Sequence, residues 1–424
     1  MVDSKLDPDV IRKKYEFRWE ILDTLVGGGS AIDSSRGFVV SSLEDAEKFI
    51  RTYGYDLNHP IENAEVFGHF HEAINFIRKS FLFPENPEGV RFEVPRRIME
   101  LADVRELMLM ACLSASGQSD DTQGRLLALW ACSILKVMHT LAHIDQDIRT
   151  PYFPEIQKQL LDRFYRVIHR DSGGNLYIGE SEQDPLRVNL VAFETKPKKS
   201  RESILIKLLH KPENVAEDIF DRVGIRFVTH SRLDALRVIK YLKEVRIIMP
   251  ANIKPSRSRN TLIDIETVRA QVARLVDELE RGEVPSEEEI VSRMDQAFAD
   301  PISSQVNKHS SEHYRSIQFT CRQRVKLTNP LFQDMKDLKA WVKGQSLVDS
   351  NPELDPLVKL VDRMDLKHLQ KEVRFFYPYE IQVVDRISHE ENERGRSAHS
   401  EYKKAQMQTA LKRVMGPLAD AIRQ

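Results

Sequence analysis

The sequence predicts an α+β protein in which a β-sheet flanked by helices is preceded by a mainly α-helical domain. Apolar residues recur at helical spacing up to about residue 150. Beyond Thr150-Pro151, short β-branched and aromatic runs alternate with helical stretches. With 41% hydrophobic and 30% charged residues, the 424-residue chain has apolar side chains for a core and length for two domains.

In the first part, residues 1–150, the helical period is clearest from Ile98 to Met110 and from Leu126 through Trp130 to Met138. Gly27-Gly28-Gly29-Ser30 reads as a loop, and it lacks the Gly-Lys-Ser/Thr ending of a phosphate loop. The second part, residues 151–424, opens with a helix from Ile156 to Ile168 and a turn at Asp171-Ser172-Gly173-Gly174. Strand-like runs follow at Val188–Phe193, Val223–Val228, Ser316–Thr320, Val373–Phe376 and Glu380–Val384. Helices separate them at Ser203–Leu209, at Arg232–Leu242 and from His389 onward. An insertion near residues 262–300 carries Ile265, Val268, Val272, Leu275, Val276 and Leu279 at helical spacing, with Gly282 placed to end the helix. Ser286 and Glu289 form a capping-box pattern for a second helix, so the insertion predicts an amphipathic hairpin packed on the domain.

A formal charge of −2 gives no global electrostatic case for nucleic-acid or membrane binding, so any polyanion site must come from local clusters of Lys and Arg. Cys112, Cys132 and Cys321 are widely spaced and odd in number, which fits a reducing cytoplasm better than a disulfide framework. No run approaches ~18 uninterrupted apolar residues, and no membrane span is expected. The oligomeric state, including a homo-oligomer, is left open by the residues.

Four segments could carry chemistry. The basic stretch Lys196-Pro197-Lys198-Lys199-Ser200-Arg201, continuing to Lys207, follows a strand-like run and opens a helix, where free N–H groups and cationic side chains attract phosphate. It equally suits a solvated basic turn. Asp221 stands at the entrance of a strand that includes Gly224 and Arg226, a place suited to Mg²⁺ or to a simple pair with a neighbouring arginine. Tyr314-Arg315-Ser316 heads another strand, where the ring could stack on a base or sit at the core edge. Glu380 and Gln382 interrupt a β-branched run, and a carboxylate there needs a partner; a metal ion would supply one. Outside these segments, His139 and His143 lie one helical turn apart and His69-Phe70-His71 brings two more imidazoles together, arrangements open to metal binding or to a role in the core.

Taken in order, these segments resemble the synthetase domain of RelA/SpoT alarmone enzymes. Asp221-Arg222-Val223-Gly224-Ile225-Arg226 is similar to the family's Asp-x-x-(Gly/Ala)-Ile-Arg motif. Tyr314-Arg315-Ser316 is similar to its Gly-Tyr-(Gln/Arg)-Ser motif, and Glu380-Ile381-Gln382 followed by His389 is similar to its Glu-Ile-Gln block. The resemblance covers roughly residues 155–405 and implies a nucleotidyltransferase-type mixed β-sheet flanked by helices. It implies ATP as donor, its phosphates held by Lys198, Lys199, Arg201 and Lys207, with Arg226, Arg315, Ser316 and His389 also lining the nucleotide sites. It implies Mg²⁺ held by Asp221 and Glu380, an acceptor base stacked on Tyr314, and Glu380 with Gln382 addressing the attacking 3′-hydroxyl. The implied activity is pyrophosphate transfer from ATP to GDP, GTP or another nucleotide, as in (p)ppGpp synthesis and the stringent response.

The chain departs from that pattern in specific places. Val384 stands where the family has Arg, His313 replaces the Gly before the tyrosine, and Gln318 replaces a His. No His-Asp dipeptide of the family's hydrolase domain occurs. These departures leave open the same chemistry at the 3′ end of tRNA, and a degenerate, non-catalytic nucleotide-binding or regulatory protein.

Overall fold

A computed structural model describes residue 26 and residues 40–113, 122–147, 149–196, 200–211, 222–297, 314–348, 355–363, 371–394 and 399–423. The first described helix, α1 (Leu43–Tyr53), starts where the Ser42 side chain accepts from the Asp45 N–H and stops at Gly54, whose φ of 116° few other residues adopt. Then come α2 (Pro60–Phe81), the short α3 (Arg96–Met99), α4 (Val104–Leu113) and α5 (Thr122–Asp145). The interior of this helical part is built from Phe70, Ile77, Phe81, Leu107, Ile134 and Leu141. Among the described helices, α5 is long and apolar enough to cross a membrane, with a mean hydropathy of 1.4 over its most apolar window; 61% of that window is buried inside the protein. No span was expected there from the sequence, because Arg125 and Lys136 interrupt the apolar run.

The second part begins with α6 (Phe153–Tyr165), followed by the hairpin β1 (Ile168–Arg170) and β2 (Leu176–Ile178). The predicted turn joins them: Asp171 N–H bonds Asn175 O at 3.0 Å, and Gly174 takes a φ of 82°. Next are β3 (Val188–Thr195), α7 (Arg201–Leu209) capped by Ser200, β4 (Gly224–Thr229) and α8 (Arg232–Glu244) capped by Ser231. The short β5 (Arg259–Asn260) leads into the insertion, α9 (Ile265–Glu280) and α10 (Glu287–Ala297). Its capping box is reciprocal: Ser286 N–H donates to Glu289 Oε2 at 3.0 Å, and Glu289 N–H donates to Ser286 Oγ at 3.2 Å. The chain closes with β6 (Ile317–Thr328), α11 (Pro330–Val348), α12 (Asp355–Arg363), β7 (Glu372–Asp385), α13 (Arg386–Arg394) and α14 (His399–Arg423).

The strands form one mixed seven-stranded sheet in the order β1-β2-β3-β4-β7-β6-β5. Only β4 and β7 run parallel, in a register that sets Gly224 beside Glu380 and Arg226 beside Gln382. Two stretches expected as separate strands, around Val373 and Glu380, are one continuous β7. Pro378 lies inside it where β7 pairs only with β6, since the ladder with β4 begins at Glu380, so the missing N–H costs no sheet bond.

Side chains alternate across the sheet. Ile225, Phe227, Phe319, Cys321, Ile381 and Val383 point to one face and pack with Phe164 and Ile156 of α6 and Val238 and Leu242 of α8. The helical core, for its part, takes in Leu205, Leu208 and Leu209 of α7 and Ala410, Val414 and Met415 of α14. Two elements from beyond residue 150 therefore complete the interior of the first part.

Candidate functional site

The other face of the sheet is polar because residues two apart share a side. Register places Glu194 of β3 beside Arg226 of β4, Arg226 beside Gln382 of β7, and Gln382 beside Gln318 of β6. One row of polar groups thus crosses four strands. The next row runs from Gly224 through Glu380 to Thr320.

Glu380 is only 7% exposed, and both of its oxygens are engaged. Lys196 Nζ donates to Oε1 at 2.5 Å, and Gln318 Nε2 donates to Oε2 at 2.5 Å. Lys196 follows the end of β3, and its N–H bonds Gly224 O at 2.8 Å. Its stem then crosses the sheet directly over Gly224: a Cβ on that residue would lie 2.5 Å from Lys196 Cδ. The glycine is there because the lysine passes over it.

Arg226 anchors the second row. Nε donates to Gln382 Oε1 at 3.0 Å, and Nη1 pairs with Glu194 at 3.2 Å and Glu393 at 3.1 Å. Gln382, 2% exposed, passes its amide on to Tyr314, with Nε2 donating to the phenolic oxygen at 2.5 Å. His389 Nε2 stands 3.8 Å from Glu194 Oε1 at the rim. Arg315 and Ser316 hold the approach to β6 by backbone bonds, Arg315 N–H to Asn392 Oδ1 at 3.1 Å and Ser316 N–H to Thr261 Oγ1 at 3.0 Å.

Of the residues the sequence singled out, Arg226, Tyr314, Glu380 and Gln382 meet on this face, with His389 at its edge. Arg201 is engaged elsewhere. Its guanidinium binds Glu72 of α2 and Asp145 of α5, and Asp145 also accepts from His69 Nε2 at 2.8 Å. The next residue, Glu202, accepts from Lys79 at 2.9 Å and Ser80 at 3.0 Å, so the start of α7 is pinned to the helical part. Lys207 lies in the last turn of α7, half-buried. Asp221, Lys198, Lys199 and the Gly27–Gly29 loop lie outside the described residues.

Among family models, curated proteins and solved structures, none matches this chain.

Glu380 spends one oxygen on an ammonium and the other on an amide, and Glu194 and Glu393 are taken by Arg226. Among the described residues, no three His, Cys, Asp or Glu side chains come together to hold a metal. Hard cations need several oxygens, and Asp221, the carboxylate expected to share the ion with Glu380, lies outside the described residues. Lys196 supplies a positive charge at Glu380.

In the helical part, Tyr53 OH hydrogen-bonds His139 Nδ1 at 2.8 Å, and the His139 and His143 rings meet edge to face at 4.6 Å. Burial, then the neighbouring His143, pushes His139 down to about 4, and burial also lowers His143. Both rings are neutral near pH 7, as packed aromatic groups.

Sequence reasoning passed over Glu194, Glu393 and the destination of Lys196. Glu194 carries a signal, an acid at an alternating strand position. The glutamine at 318 looked like a departure, yet it is one of the two hydrogen-bond donors that Glu380 uses.

Proposed function

We propose that the polar face of the sheet binds nucleotide phosphates and that the chain is a RelA/SpoT-type pyrophosphokinase, passing pyrophosphate from ATP to the 3′-hydroxyl of a second nucleotide. One observation carries this reading. Segments near residues 196, 226, 314 and 380, far apart in the chain, are linked by direct side-chain hydrogen bonds on one sheet face. That convergence favours the synthetase-like fold over a chance likeness of short motifs.

In the reaction, the acceptor 3′-oxygen attacks the β-phosphorus of ATP. The bond from that phosphorus to the oxygen bridging the α- and β-phosphates breaks, and AMP departs. ATP arrives as its Mg²⁺ complex, so the ion enters as part of the substrate. Lys196 turns from Glu380 to the incoming polyphosphate, which frees a carboxylate oxygen to take the hydroxyl proton. Arg226 and Gln382 hold Tyr314 beside the acceptor, and Glu380 and Gln382 address its hydroxyl. Catalysis of this kind rests on positioning and charge.

A second reading has its own support. A carboxylate with both oxygens satisfied is also what a binding protein without turnover would keep. The purified chain, incubated with γ-labelled ATP, Mg²⁺ and GDP, GTP or tRNA, separates the two. AMP release with label transferred to one acceptor, abolished by Glu380→Gln, supports the enzyme, and the labelled acceptor tells nucleotide from tRNA. Nucleotide binding without AMP release, indifferent to Glu380→Gln, supports the binding protein. Neither binding nor turnover ends the proposal.

A further inference from the structure

Tyr314 was expected to offer a ring for stacking, and the bonding of its hydroxyl bears on a further task. Arg226 Nε can only donate, so the Gln382 side-chain oxygen must face it, at 3.0 Å. The Gln382 –NH₂ is thereby turned to the Tyr314 phenol at 2.5 Å. A flipped amide would set two donors against each other. The phenolic oxygen is therefore an acceptor toward Gln382, and its single proton must be donated elsewhere. Among the described residues no acceptor takes that proton. Arg226 is itself pinned by Glu194 and Glu393, so the orientation is enforced from the far side of β4. The guanidinium charge polarises the amide, the amide polarises the phenol, and the O–H becomes a stronger donor at the end of the chain.

We propose that Tyr314 is a specificity-determining residue that reads its ligand by donating a hydrogen bond to an acceptor oxygen, with Gln382 and Arg226 as the positioning residues that fix the direction of that bond. The proposal rests on the nucleotide-binding reading above. The oxygen belongs either to a base carbonyl or to a phosphate, and the probes below distinguish these sources.

Calorimetric titration of the full chain with GDP, ADP and inorganic pyrophosphate tests it. Tyr314→Phe keeps the ring and deletes the donor, and it should weaken at least one probe about tenfold, the value of one net hydrogen bond. Tyr314→Ala should add little. Gln382→Glu preserves shape and still accepts from Arg226, but its carboxylate also accepts the phenol proton, so it should reproduce the Tyr314→Phe loss. A loss confined to GDP assigns the oxygen to the base carbonyl, and a loss shared by all three assigns it to phosphate. Tyr314→Phe binding all three like the wild type overturns the proposal, with stacking indicated if Tyr314→Ala alone is impaired. Gln382→Glu binding at wild-type strength overturns it as well. A wild-type chain that binds none of the probes removes the nucleotide reading and this inference together, a result recognisable before any variant is made.

Discussion

Lys196 and Glu380, separated by 184 positions in the chain, are joined at 2.5 Å across the bare backbone of Gly224. The lysine side chain is 32% exposed and the glutamate side chain 10%, so the pair sits at the boundary between solvent and sheet. A carboxylate in that setting is stable because an ammonium and an amide share its charge.

Removing the ammonium should leave Glu380 under-satisfied. Lys196→Ala is expected to cost about 1–2 kcal/mol in urea unfolding, at the low end for a charged hydrogen bond because the lysine is partly solvated. Adding Glu380→Gln should recover most of that loss, since a neutral amide needs no cation. Strictly additive costs in the double variant would show that the two side chains are not coupled.

Gly224→Ala tests the crossing directly. The new methyl would lie 2.5 Å from Lys196 Cδ and 3.0 Å from Cγ, so the stem must lift from the sheet and the contact with Glu380 must break. The expected cost is about 1 kcal/mol, comparable to Lys196→Ala. In a Lys196→Ala background the same substitution should cost much less, because the stem atoms at 2.5 and 3.0 Å are gone and only the residue 196 Cβ remains, at 3.3 Å. A full cost in that background would place the strain elsewhere.

The buried imidazole predicts an acid limb to stability. His139 ionises near 6.5 when unfolded but only at about 4 when folded, pushed down by burial and then by His143. The unfolded chain therefore binds more protons between those values, and stability falls as pH drops from about 6.5 toward 4. Thermal melts of a Tyr53→Phe/His139→Leu variant, which removes the imidazole and its hydroxyl partner together, should show a shallower decline over this window.

A second window lies lower. Burial raises the Asp145 carboxyl, but hydrogen bonds from His69 and Arg201 outweigh it and hold the group at about 2, against 3.8 for the free side chain. The stabilisation is present above about pH 4 and is lost as pH falls through 2. Asp145→Asn should abolish that part of the acid limb, and near pH 7 it should cost about 1 kcal/mol, modest because the cluster is partly exposed. It should also loosen the hold on Arg201, read as faster amide exchange at the start of α7.

The helical character of the first part, the turn at Gly174, the capping box at Ser286 and the strand carrying Glu380 were all legible, because each follows from local spacing or a local cap. Less of the site was. Glu380, Gln382, Arg226 and Tyr314 stood out as polar residues in apolar or motif-like surroundings. The basic stretch was read as one cradle, yet the fold divides it: Lys196 goes to the sheet and Arg201 to Glu72 and Asp145. Adjacent residues in a sequence share a charge pattern, but a strand end and a helix start point their side chains to different neighbours.

Alternation and period alone therefore determined an α+β chain with a helical first part and a carboxylate set into a β-branched strand. Only the tertiary structure decided that β4 and β7 run side by side and in parallel, that Lys196 lies across Gly224, and that Arg226 dictates which way Gln382 and Tyr314 face. Those outcomes depend on strand order and register, which bring residues more than a hundred positions apart into hydrogen-bonding distance and which no local pattern encodes.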